Sequence, residues 1–252
     1  DKVTTIGSYT FKNCTSLASV KLPANLTKID ESAFYGSAIK TLQIPDSTTT
    51  IGSYAFKNCS ALTDVKLPAN LTKIQESSFY ACSKLGKLVI PSKVTSIDAY
   101  AFRKCTGLQS VELPTSLKTI GESAFYGCTG LKSLSIPEGA TTIDGYAFKS
   151  CTGVTSVSLP STLETIGESG FYGCTGMKNI IVPEKVKKLD GYAFARCTNL
   201  NTVKFTGDAP NIGVYAFSGV KTTVYYPSGN ATWNLYITAQ SYGGTLTWKE
   251  AK

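Results

Sequence analysis

Phenylalanine returns at positions 11, 34, 56, 79, 102, 125, 148, 171, 194 and 217, always 23 residues apart except for a 22-residue step between Phe34 and Phe56. A fixed period in the twenties constrains the fold more tightly than any composition can. It marks a solenoid, in which each repeat is one turn of a coil. One turn cannot bury its own apolar face, so stacked neighbours must share a continuous core. Such a period describes a scaffold and leaves the chemistry open.

The other columns follow from Phe as reference. A small residue precedes it (Ala33, Ala55, Ala101, Ala124, Ala147), and Cys follows three later. An apolar residue stands six after it, as in Leu62, Leu85 and Leu108. Alternating pairs such as Val65/Leu67, Val111/Leu113 and Leu134/Ile136 come next and end at a proline. Period two predicts short strands with one buried face, Ser19–Leu22 being the first. Proline lacks an N–H and so terminates each one. Segments such as Leu71–Ile74 predict a second, shorter strand on the opposite side. Phe-x-x-Cys is too short and too rich in Gly and Ser for an α-helix, and reads as a turn or 3₁₀ piece.

Residues 108–128, LQSVELPTSLKTIGESAFYGC, show the whole pattern. The repeat resembles the BspA-like, or Treponema-type, leucine-rich repeat, over roughly 1–217. The resemblance implies a right-handed repeat solenoid of parallel strands in a bacterial surface or secreted protein, associated with adhesion to host extracellular-matrix or cell-surface proteins. It brings no catalytic residues and no cofactor. The expected organisation is a repeat domain over 1–217 with a C-terminal cap over 218–252. The expected state is a monomer bound to a protein ligand. The alternatives are a rigid spacer that displays another domain and a carbohydrate-binding accessory module.

The eight cysteines, Cys14, Cys59, Cys82, Cys105, Cys128, Cys151, Cys174 and Cys197, share one column. Stacked turns place their Cβ atoms ~4.8 Å apart, whereas a disulfide wants ~3.8 Å. Ser37 in the second turn also leaves Cys14 without a neighbour. The expectation is eight reduced, buried thiols acting as small hydrophobes. Without histidine or C-x-x-C pairs, no metal site is expected.

The formal charge is +8, yet only Arg103 and Arg196 among 25 basic residues are arginine. Scattered lysines lack the clustered arginine forks of phosphate readers, so no nucleic-acid partner is expected. No stretch of 18 apolar residues exists, so no helical membrane insertion is expected. The chain opens in mid-repeat without a signal peptide, which suggests a processed or truncated piece of a longer protein.

The absence of histidine removes the usual general base. Glu31, Glu76, Glu122 and Glu168 recur, as do Asp30, Asp98, Asp144 and Asp190. Two neighbouring carboxylates can serve glycoside hydrolysis. Their recurrence in every register fits turn residues better, since an active site is made once. No catalytic residue is assigned.

Two surfaces remain as binding candidates. The outward strand positions form the face on which solenoids usually bind, expected to be concave: Ser19, Lys21, Thr41, Gln43, Asp64, Lys66, Lys87, Val89, Ser110, Glu112, Asn179, Ile181 and Lys204. Small hydroxyls dominate, and no aromatic or arginine anchor is visible. The other surface comes from a two-turn alternation after Phe, which lines up Tyr35, Lys57, Tyr80, Arg103, Tyr126, Lys149 and Tyr172. That stripe reads first as cation–π packing and second as a platform for a glycan or partner.

After Phe217 the register breaks. Thr223–Tyr226 predicts a last strand, Asn230 an N-cap for a helix over about 231–241, and Thr245–Trp248 a terminal strand. Trp233, Tyr236 and Trp248 would cover the open end of the core.

Overall fold

The computed structural model describes residues 2–251. It is a parallel β-solenoid whose turns follow the phenylalanine period. Two-residue strands run up one side, from Thr5–Ile6 through Thr119–Ile120 to Asn211–Ile212. Longer strands run up the other, from Thr41–Gln43 through Ser133–Ser135 to Thr245–Ala251. Pairing joins like columns, as in Ile120 with Ile143 and Leu134 with Val157. The 23-residue period and the strand register are thus one constraint.

The phenylalanines form a single internal column. Neighbouring rings from Phe11 to Phe217 sit 5.0–5.7 Å apart, at interplanar angles of 5–23°. From Phe34 onward these rings are fully buried. Each contact adds about 0.5–1.5 kcal/mol to the burial term.

Around each Phe the chain makes successive turns closed by i+3 bonds, such as Arg103 N–H to the Tyr100 carbonyl and Cys105 N–H to the Phe102 carbonyl. No 3₁₀ helix forms among the described residues, because positions two before and two after Phe are left-handed, with φ of 60° at Tyr100 and 62° at Lys104. That geometry aims alternate N–H groups at the next turn: Tyr100 to Glu122, Phe102 to Ala124 and Lys104 to Tyr126. A third hydrogen-bonded wall results, bought with backbone strain that glycine avoids only in some turns.

The thiols are free, and from Cys59 onward they are buried. Each buried thiol donates to the carbonyl of the Phe one turn back, as Cys105 does to Phe79 at 3.1 Å. Cys14 departs from the expectation of full burial: it is half-exposed, because no turn among the described residues covers its outer side. Ser37, standing in the cysteine column, contacts the Cys59 sulfur at 3.4 Å.

Further departures lie at the two ends. Ser19–Leu22 is not a strand, and Val20 and Leu22 are only half-buried. Up to Ser156–Ser158 the longer strands bond in twos, as Thr41–Gln43 with Asp64–Lys66 and Lys87–Val89 with Ser110–Glu112, and Ser19–Leu22 falls on the unpaired side of that alternation. At the other end the helix is Leu235–Thr238, capped by Asn234, whose side chain accepts from Tyr236 and Ile237 N–H. Asn230 instead accepts from Thr232. The tail is a further turn of the coil: Lys221–Pro227 pairs parallel with Thr245–Ala251. Phe217 and Gly219 donate to the carbonyls of Tyr242 and Gly243, so that segment continues the third wall. Trp233 packs on Phe205 and Tyr226, with Trp248 beside it.

The short-strand sheet splits between Thr50–Ile51 and Lys73–Ile74, beside the 22-residue step. There Thr48 is fully buried and gives its hydroxyl to the Leu26 carbonyl at 2.9 Å. Amides of residues 37–50 should therefore exchange with solvent faster than those of 108–136; slower exchange at 37–50 would contradict this.

The thiols give a second test. A thiol reagent should count close to eight groups in denatured, non-reduced protein and find only Cys14 readily in native protein; a disulfide-depleted count would refute it. Burial holds the thiols from Cys59 onward above their ordinary value of 9.0, pushing Cys105, Cys151 and Cys197 up to about 12. The folded state then binds more protons than the unfolded one between those values, so stability is intact below pH ~9 and falls as pH rises toward 12. Denaturant midpoints should drop across that window, and a Cys105→Ala, Cys151→Ala double variant should flatten the fall.

Candidate functional site

The longer strands place Lys66, Val89, Glu112, Ser135, Ile181 and Lys204 in one outward column. Backbone pleating requires this, since residues on either side of a buried Val or Leu face solvent. Val89 and Ile181 are 59% and 58% exposed, which is unusual for branched aliphatics in an ordered strand. Between the neighbouring strands Asp64–Lys66 and Lys87–Val89, which belong to different strand pairs, a hollow of about 400 Å³ opens, lined by Asp64, Lys66, Lys87, Val89 and Pro91. The structure thus gathers four of the sequence candidates, an apolar spot flanked by two ammoniums and one carboxylate. Ser19 and Lys21 remain exposed at the unpaired first turn.

The face also extends further than the repeat pattern suggested. Lys204 pairs with Tyr225 and Tyr225 with Lys249, while Thr202 continues through Thr223 to Thr247. Tyr225, Lys204, Lys249 and Glu250 border a second hollow of about 540 Å³. Contrary to the sequence expectation, an aromatic therefore lies on this face. Its signal was present in the alternation Thr223-Val-Tyr and Thr247-Trp-Lys, which reads as cap only when the tail is treated as outside the coil.

The tyrosine–cation stripe is packed against itself. The Arg103 guanidinium carbon lies 5.9, 5.5 and 4.4 Å from the ring centres of Tyr80, Tyr100 and Tyr126. Lys57 lies 5.1 Å from Tyr54 and 4.7 Å from Tyr80, and Lys149 lies 4.5 Å from Tyr172. Lys12 lies 5.4 Å from the Tyr35 ring. Arg103 Nε is buried without a hydrogen-bond partner, so rings hold this side chain where acceptors usually would. Ring faces covered by cations and half-buried are poor platforms for a sugar.

The recurring carboxylates are likewise engaged. Phenol hydroxyls donate to the glutamate one turn on: Tyr54 to Glu76 at 2.8 Å, Tyr100 to Glu122 at 3.0 Å and Tyr146 to Glu168 at 2.7 Å. Those carboxylates raise the three phenols by accepting hydrogen bonds from their protonated form. Asp30, Asp98 and Asp190 pair with Lys28, Lys73 and Lys188 at 2.7–3.0 Å. Asp144 is raised, first by burial and then by Glu122. Among the described residues no group of three or more His, Cys, Asp or Glu could hold a metal ion, and no helix is long and apolar enough to cross a membrane.

A family model for the BspA type leucine-rich repeat region matches in 6 copies, over residues 1–109 and 95–224. The chain belongs to that family. A leucine-rich repeat protein from Bacteroides ovatus is 28% identical, with TM-score 0.53, covering 100% of this chain and 76% of that one. The T. pallidum leucine-rich repeat protein is 26% identical, with TM-score 0.56, over 71% of this chain and 76% of that one. The pneumococcal vaccine antigen PcpA shares the fold at 21% identity and TM-score 0.53, over 90% of this chain and 72% of its own. No curated protein sequence matches the chain.

Because Arg103 contacts three rings, Arg103→Gln should lower stability by about 1–2 kcal/mol in chemical denaturation. Unchanged stability would mean that the tyrosines hold their places without the cation.

Proposed function

We propose that this chain is a non-enzymatic recognition module of a bacterial surface or secreted protein, and that it binds a protein ligand through its longer-strand face. The observation that carries the reading is the hollow where exposed Val89 sits between Lys66 and Lys87, on a face made mostly of polar and charged side chains. Apolar contact at the centre with charges around it is how protein interfaces combine affinity with steering. The second hollow at Tyr225 supplies the aromatic contact that such faces favour. The stripe is the weaker candidate, since its cations and rings already satisfy one another. Spread over many turns, binding depends on several modest contacts and a ligand long enough to span them.

The test compares two variants against a panel of immobilised host extracellular-matrix proteins. Replacing Lys21, Lys66 and Lys204 with Glu should slow association several-fold without changing the melting temperature, because outward strand positions bury little apolar area. The second variant carries Tyr35, Tyr80 and Tyr126 as Ser and should keep its on-rate. If only the tyrosine variant loses binding while folded, the stripe is the site. If the parent protein binds nothing on the panel, the spacer reading gains over the protein-binding one.

A further inference from the structure

The Glu-Ser pattern of the even turns fails at the last of them. The even turns carry Glu-Ser before the Ala-Phe position, at Glu31-Ser32, Glu76-Ser77, Glu122-Ser123 and Glu168-Ser169, but the last carries Val214-Tyr215. A carboxylate is replaced by an aliphatic and a hydroxymethyl by a phenol ring. Neither change serves the core, since Val214 is 71% exposed and Tyr215 is 53% exposed. Tyr192 of the preceding turn, with no glutamate to receive its hydroxyl, stacks on Tyr215 at 5.4 Å.

The final turn folds its short helix against this spot. Gly243, at φ +80°, lets the chain close on Tyr215, because a Cβ there would come within 3.0 Å of the ring. The helix also raises Tyr236, which is 81% exposed. The resulting groove of about 590 Å³ is bordered by Asn211, Tyr215, Tyr236, Gln240, Ser241 and Tyr242. No residue lining it is charged, in a protein with 25 basic and 17 acidic side chains. Both indole N–H groups nearby are used internally, Trp233 by the Gly207 carbonyl and Trp248 by the Gln240 carbonyl. The tryptophans therefore hold the base of the turn, while phenols and side-chain amides form the rim.

We infer that this groove at the C-terminal turn is a binding subsite for a neutral oligosaccharide. Flat phenol rings suit the C–H faces of a pyranose, and the amides of Asn211 and Gln240 can donate and accept at once, as paired sugar hydroxyls require. A phosphate, uronate or acidic peptide would find no cation there to offset its lost hydration. The subsite is separate from the longer-strand face and does not depend on what that face binds.

The probes are cellotriose and maltotriose, with trigalacturonate as the charged counterpart and a proline-rich decapeptide as the rival occupant of an aromatic groove. Saturation-transfer NMR on the intact chain should show millimolar binding of at least one neutral trisaccharide and none of trigalacturonate. Tyr236→Ala and Gln240→Ala should each weaken that binding, Tyr236→Ala by about ten-fold or more. Melting temperatures should hold, since both side chains are exposed. Tyr80→Ser and the triple lysine variant should bind the sugar like the parent, which separates this subsite from the stripe and from the protein-binding face. Absence of binding by both neutral sugars, preference for trigalacturonate, binding of the decapeptide instead, or indifference to both groove substitutions would each overturn the assignment.

Discussion

The phenylalanine column is the contact on which the other regularities depend. Rings stacked at 5.0–5.7 Å force neighbouring turns to lie in register. Register then aligns the strand columns, the thiols and the surface residues of every second turn. Spacing between turns follows from the backbone, at ~4.8 Å for paired strands, and tilted or offset rings absorb the difference. A wall of left-handed turn residues accepts local strain because it lets each Phe-bearing segment from Phe11 to Phe194 donate three N–H groups to the next turn. Cooperativity is therefore nearest-neighbour in kind, with the fewest constraints where one neighbour is missing or irregular.

Both weak points follow from that logic. At the first turn, Cys14 and the Ser19–Leu22 segment have the expected sequence yet are neither fully buried nor a strand. Their repeat is intact, and among the described residues no further turn packs on their outer side. Around Thr48 the defect is internal: one residue is missing, a threonine occupies an apolar column, and the short-strand sheet divides nearby. The buried hydroxyl finds the Leu26 carbonyl, so the lesion costs packing more than hydrogen bonding.

Periodicity made the fold legible, because it specifies the core twice over, by the spacing of Phe and by the alternation beside it. The C-terminal turn was less legible for a physical reason. There the Phe column ends and a seven-residue strand pair, a four-residue helix and a tryptophan cluster take over the same positions by different means. Asn230 and Asn234 are both competent caps by residue type, but Asn230 is engaged with Thr232 while Trp233 packs into the core, and the helix starts at Asn234. Tyr225 and Lys249 were invisible as binding-face residues until the strand pairing showed that the coil continues through them.

Function is harder to read in a repeat because the pattern itself accounts for most of what looks chemical. Tyrosines beside cations, glutamates beside phenols and a file of cysteines would each suggest a site if met once. Recurring at every second turn or every turn, they are the means by which turns recognise one another. The informative surface residues are those that the repeat does not require. Val89 and Ile181 stand where serine, lysine or glutamate stands in other turns, and Val214-Tyr215 stands where Glu-Ser does. Each exposes apolar area to water, about 25 cal/mol for every Å² that a ligand could cover. Departures of that kind do nothing for the stack, so a surface with a partner is the simplest place for them.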